Sequence, residues 1–146
     1  HMYNNAYTAY QRTNINTASR GRLIVLLYEG AVKQLTQAAA LFEPDGKLQA
    51  KNIEQFGNCI QKAEAIISEL EVSLDMEKGG EIAKNLMSLY LYFNEELMQA
   101  NISKDKEKIM AILKMLKDLT ESWRQIASTT ANAEPSQTES RLSIQG

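Results

Sequence analysis

Residues 53–74 read IEQFGNCIQKAEAIISELEVSL, and their apolar positions decide the fold. Ile53, Phe56, Ile60, Ala63, Ile67, Leu70 and Leu74 recur at steps alternating three and four. That spacing returns side chains to one face of a helix and is the packing rule of helical bundles. The spacing predicts a helix from about Lys47 to Leu74, bounded upstream by the turn Glu43-Pro44-Asp45-Gly46 and downstream by Asp75 to Gly80. Paired glycines at 79 and 80 supply permissive backbone there.

The same rhythm extends outward in both directions. Before the turn, Leu23, Leu27, Gly30, Ala31, Leu35, Ala38 and Phe42 keep to one face of a helix starting at Thr17 or Ser19. Its polar side carries Glu29 and Lys33 at a favourable i,i+4 spacing. After the glycines, a third helix runs from about Gly80 or Glu81 to Ala100, closed by Asn101, with Ser103 or Asp105 capping the next. The fourth runs from about Lys104 to Ser128 on Ile109, Ile112, Leu116, Leu119, Trp123 and Ile126. Four periodic helices with short connections predict an all-α, antiparallel up-down four-helix bundle. Residues 3–16, rich in Asn and Thr, read as an N-terminal cap segment, residues 17–128 as the bundle, and residues 129–146 as a flexible tail. His1-Met2 reads as an expression remnant.

The third helix is apolar over more than one face. Ile82, Leu86, Leu89 and Phe93 suffice for a core stripe, and Met87, Tyr90, Leu91 and Tyr92 are left over. Surplus of this kind points to a surface that holds another protein segment. In residues 3–16, Tyr7 and Tyr10 follow Tyr3 at helical spacing, and Ile15 is a further apolar anchor. They read as an arm that covers an apolar groove.

Composition narrows the function. The net charge of the 146-residue chain is −2 with no basic block, which argues against nucleic-acid binding. Cys59 is the single cysteine, so no internal disulfide forms, and its expected role is a small buried hydrophobe. The longest apolar run, Leu23 to Tyr28, is too short to span a bilayer and is not placed as a signal peptide, so no membrane insertion and a cytoplasmic location are expected. A catalytic centre is not found. Histidine occurs only as His1, which removes the Glu-x-x-His pairs of di-iron bundles, and Ser19 has no histidine or lysine arrangement identifiable as its base and reads as a helix cap. Glu95 and Glu96 are adjacent and face different directions. Gly79-Gly80-Glu81 lacks the lysine of a phosphate loop. No cofactor, no metal and no enzymatic activity are expected.

These residues resemble the flagellin-specific export chaperones, the FliS family. Thr17-Ala18-Ser19, Gly21, Leu23 and Leu26-Leu27-Tyr28-Glu29-Gly30-Ala31 look like its first helix. Ile66-Ile67-Ser68-Glu69-Leu70 with Ser73-Leu74-Asp75 is similar to the end of its second. Gly79-Gly80-Glu81-Ile82-Ala83, Asn85-Leu86, Leu89-Tyr90, Leu97, Ala100-Asn101 and the Trp123 region continue the match in order across residues 7 to 126. The family usually has Ser-Pro-Gly-Glu where this chain has Ser19-Arg20-Gly21-Arg22, so the usual proline and capping-box glutamate are missing. Glu29 replaces the usual aspartate.

The resemblance implies a cytosolic chaperone that covers the C-terminal amphipathic segment of flagellin, prevents premature polymerisation and keeps it competent for flagellar type III secretion. Export-gate components and other flagellar regulators are implied as further partners. The protein-binding surface expected on this basis is Leu27, Tyr28, Ile82, Leu86, Leu89, Tyr90 and Leu97, with Met87 as an adaptable contact and the arm residues Tyr7, Tyr10 and Ile15 occupying the same groove before the client arrives. Leu27, Ile82, Leu86 and Leu89 also serve the core in this reading, whereas Tyr28 and Tyr90 are read as half-buried interface tyrosines. The alternatives are a self-associating structural bundle and a flagellar regulatory adaptor.

Overall fold

The computed structural model describes residues 17–131, and the expected cap residues Tyr7, Tyr10 and Ile15 lie outside them. Four helices form the bundle: α1, Thr17–Ala40; α2, Ile53–Ser73; α3, Gly80–Ser103; and α4, Lys106–Ala131. Among the described residues there is no strand. Each helix packs on its chain neighbours, and α1 closes the ring against α4, so α1 and α3 face each other across the diagonal, as do α2 and α4. The pairings are antiparallel. Phe42, two residues past the end of α1, meets Phe56 in the first turn of α2 edge-on at 5.3 Å, and Arg124 of α4 reaches Glu29 of α1. The α1–α4 and α1–α2 seams are the most extensive, and the α3–α4 seam is the thinnest.

The core follows the a/d positions. Leu35, Phe56, Ile60, Ile67, Leu70, Phe93, Leu97, Ile109, Ile112 and Leu116 are fully buried. Each such side chain contributes roughly 1.5–3 kcal/mol through burial. Cys59 joins this cluster, and burial raises its thiol pKa. Gly21 has a packing reason for its place inside a helix: a Cβ there would sit 3.3 Å from that of Ala127. The missing side chain lets α1 and α4 approach closely at that end.

The connections differ from expectation in detail. The second helix begins at Ile53, not Lys47, because the turn holds the intervening residues in another geometry. The Glu43 amide donates to the Lys47 carbonyl (2.8 Å), the Lys47 amide donates to the Asp45 carboxylate (2.9 Å), and Gly46 takes φ +85°. Residues 47–49 then continue irregularly into a 3-10 turn, Ala50–Asn52. At the other end, Asp75 accepts from the amides of Glu77 and Lys78, and Gly80 uses a positive φ of 55° to start α3. The third helix runs on past Asn101 to Ser103 and stops at Lys104, which takes the left-handed conformation usually left to glycine. The Lys104 ammonium donates to the Asn101 carbonyl and lies 5.6 Å from the Phe56 ring centre, which holds that residue in place. Asp105 is the cap of α4, accepting from the Lys108 amide, while Ser103 donates back to Gln99.

Candidate partner-binding surface

Helix α3 carries the surface, and its faces are fixed by its partners. Ala83, Leu86, Tyr90, Phe93, Leu97 and Ala100 step by three and four and point into the bundle; all are buried except Leu86, which is partly so. This stripe differs from the expected Ile82-Leu86-Leu89-Phe93. Ile82 is 49 % exposed, and Tyr90 takes the core position instead. On one flank, Asn94 donates to the Glu64 carbonyl and the Ser68 hydroxyl, so that flank faces α2. On the other, Glu96 pairs with Lys108 at 3.2 Å, so that flank faces α4. Leu89 and Ile82 fall one and two heptads before Glu96 and share its flank.

The thin α3–α4 seam is therefore an apolar groove. By register, Leu86 and Leu89 border it on α3, and Met115, one heptad after Lys108, and Leu119, four residues further on, fall on the α3-facing flank of α4; all four are partly buried and packed against the core. Ile82 extends it at the start of α3. The opposite, α2-ward shoulder of α3 carries a second apolar row, with Leu91, Met98 and Ile102 all exposed and Ile102 76 % so. Met87 begins that row and is partly exposed.

Beneath the groove sits an aromatic cluster that spans the bundle. The Tyr28 and Tyr90 hydroxyls lie 2.5 Å apart, joining α1 to α3 across the diagonal. Trp123 of α4 stacks obliquely on Tyr28 with ring centres 6.3 Å apart. Tyr28 is 0 % and Tyr90 1 % exposed, so neither is the half-buried interface tyrosine expected from the sequence. A buried phenol is tolerated when its hydroxyl is partnered, and here each hydroxyl partners the other. Burial pushes the Tyr28 hydroxyl up to about 12, with the bonds to Tyr90 and Trp123 partly opposing it. Burial raises Tyr90 further, reinforced by Tyr28.

Of the expected binding residues, the structure thus brings Ile82, Leu86 and Leu89 to one groove and sets Met87 on the opposite shoulder. Leu27, Tyr28, Tyr90 and Leu97 are core. Met98, Ile102, Met115 and Leu119 are surface or groove residues that the sequence reading did not select, and Leu91, counted there as surplus apolar surface, was not placed among the binding residues. The six-position stripe from Ala83 to Ala100, counted first, would have left those on α3 outside the core. Among the described residues, no group of acidic, histidine or cysteine side chains is placed to hold a metal ion, and no helix is long and apolar enough to cross a membrane.

Comparison with known proteins agrees with this architecture. The profile of flagellar protein FliS matches residues 3–130. The chain belongs to the FliS family. A flagellar secretion chaperone FliS from Salmonella typhimurium is 40 % identical over 114 residues, covering 77 % of this chain and 80 % of the relative. The FliS of Campylobacter jejuni is 33 % identical over 126 residues, covering 86 % and 94 %. The FliS of Bacillus subtilis is 32 % identical over 121 residues, covering 83 % and 85 %. FliS proteins are flagellar secretion chaperones and not enzymes. The FliS resemblance seen in the sequence therefore holds across the whole bundle. Two of its motifs now have structural reasons: the glycine at position 21 fits the α1–α4 approach, and Tyr28 and Tyr90 are the two ends of one bridge.

Proposed function

We propose that this chain is a cytosolic export chaperone whose client is the C-terminal amphipathic segment of flagellin. One observation carries the reading: α3 completes its core stripe and still presents apolar side chains on both shoulders, beside the thinnest seam of the bundle. An amphipathic helix laid along the α3–α4 groove would cover Ile82, Leu86 and Leu89 and bury its own apolar face against Met115 and Leu119. Met87 would contact a client segment on the other shoulder. Leu27, Tyr28, Tyr90 and Leu97 act from below by setting the shape of the floor. Covering the client in this way keeps it from self-associating, and burial of apolar surface drives capture without nucleotide. Ordering a flexible client offsets part of that gain, which suits a complex that must later release its cargo at the export gate.

The test is calorimetric titration of this protein with flagellin from the same organism, intact and lacking about forty C-terminal residues, enough for two helices of about 30 Å. One-to-one binding to the intact protein that disappears on truncation is expected. Equal binding to both forms, or none to either, rejects the reading. Sedimentation of the free protein addresses the competing idea, a bundle that self-associates through α3, which requires a concentration-dependent dimer or larger species.

A further inference from the structure

A cleft of about 510 Å³ opens on the α1–α4 seam, on the other side of α4 from the apolar groove. It is lined by Glu29, Val32 and Lys33 of α1 and by Lys117, Thr120 and Arg124 of α4. Its charge is arranged in an unexpected way. Sequence spacing pairs Glu29 with Lys33, and Glu121 with Lys117, each at i,i+4. The structure gives both carboxylates to Arg124 instead. Its Nη2 lies 2.7 Å from Glu29 Oε2 across the seam, and its Nη1 lies 3.3 Å from Glu121 Oε2. Glu121 also accepts from Gln125. Lys33 and Lys117 are left with no ion pair among the described residues.

Two ammonium groups from opposing helices therefore line one concavity, and the one carboxylate in its lining, Glu29, is engaged by Arg124. The floor adds no competing chemistry: Val32 is apolar, and the Thr120 hydroxyl is committed to the Leu116 carbonyl at 2.6 Å. Like charges gathered at one site favour an anion between them, and the chain as a whole is slightly acidic, so this cleft is a local exception. We infer that the α1–α4 cleft is a second docking site, which takes an acidic segment of a protein partner by seating carboxylates between Lys33 and Lys117. Arg124 is the positioning residue, because it draws away the acids that would otherwise neutralise the lysines. The site is independent of flagellin capture on α3.

The experiment titrates the full-length protein with a helical peptide carrying two glutamates at i,i+4 beside an apolar stripe, and with its glutamine twin, read by calorimetry and amide NMR shifts at about 50 mM salt, where charge pairing is weakly screened. Saturable binding of the glutamate peptide is expected, with shifts confined to α1 around Lys33 and α4 around Lys117. K33E/K117E should weaken it about fivefold to tenfold, the scale of two exposed charge pairs. R124Q should weaken it too, although both lysines remain, because Glu29 and Glu121 are then released to them. K33Q/K117Q, a milder change at two exposed positions, repeats the test should charge reversal disturb folding. Equal binding of the glutamine twin, unchanged affinity in the lysine variants, or shifts spread over all basic residues overturns the proposal. So does inorganic phosphate binding the cleft as tightly as the peptide, since that marks a small-anion site.

Discussion

Replacing Tyr90 with phenylalanine removes a single oxygen from the centre of the bundle, and the structure gives the size of the effect. The lost hydroxyl is buried and its partner is the equally buried Tyr28 hydroxyl. A neutral hydrogen bond contributes only about 1 kcal/mol net, but a buried donor or acceptor left without a partner costs about 1–3 kcal/mol. Tyr90→Phe is therefore expected to lower unfolding free energy by about 1–3 kcal/mol, with Trp123 beside Tyr28 placing it toward the lower end. Tyr28→Phe should cost a similar amount. The double variant leaves no orphaned hydroxyl, so it should cost clearly less than the sum, with a coupling of about 1–2 kcal/mol. Urea unfolding followed by circular dichroism measures all three against the parent, and an unchanged slope confirms that only stability moved. If flagellin is the client, as proposed, the same variants should bind it within about twofold of the parent, under 0.5 kcal/mol, since both phenols lie beneath the surface. Additive losses would refute the bridge. A loss of binding at unchanged stability would refute the assignment of Tyr90 to the floor and make it a direct contact.

Alkaline pH should destabilise the bundle: with its pKa raised to about 12 in the fold, Tyr28 holds its proton there after an exposed tyrosine has lost it, so its contribution is intact below pH 10 and falls as pH rises toward 12. Unfolding curves across that range, with phenolate absorbance alongside, check the sign; constant stability would contradict it. Ile82→Asp places a carboxylate in the first turn of α3, where the helix dipole favours it, at a half-exposed site. Melting should barely change, while flagellin affinity drops about tenfold, roughly 1.4 kcal/mol; retained affinity moves the client off the groove. Removing residues 2–14 should tighten flagellin binding if Tyr7, Tyr10 and Ile15 compete for that groove, and unchanged affinity in a folded protein dismisses the competition.

Much of the bundle was readable because its helices repeat the a/d spacing over several turns, and Phe56, Ile60, Ala63, Ile67 and Leu70 all lie in the core. The start of α2 was misplaced because Lys47 and Leu48 suit a helix by type, whereas the Asp45 side chain and the positive φ of Gly46 hold the chain in a turn, which is local geometry rather than periodicity. The stripe of α3 was misjudged for a different reason. A tyrosine on an apolar helix reads as an interface residue until a second hydroxyl is found for it, and that hydroxyl lies 62 residues away in sequence. Charge showed the same limit: Glu29 and Lys33 are well spaced for each other, but Arg124, invisible to a local reading, takes the carboxylate.

On the proposed function, the unequal seams of the bundle bear on how many client sequences one chaperone can serve. Helix α3 has a broader seam with α2 than with α4 and is tied to α1 through Tyr90, and an ion pair, Glu96–Lys108, crosses to α4 in the second half of α3. A helix secured in that way tilts more readily than it shifts. Substitutions that bulk up or trim a client's apolar face would then be absorbed by a change in the angle of one helix, at the cost of few contacts. Co-variation between chaperone and flagellin should accordingly be weak at the open end of the groove, around Ile82 and Leu86, and strict near the Glu96–Lys108 clasp.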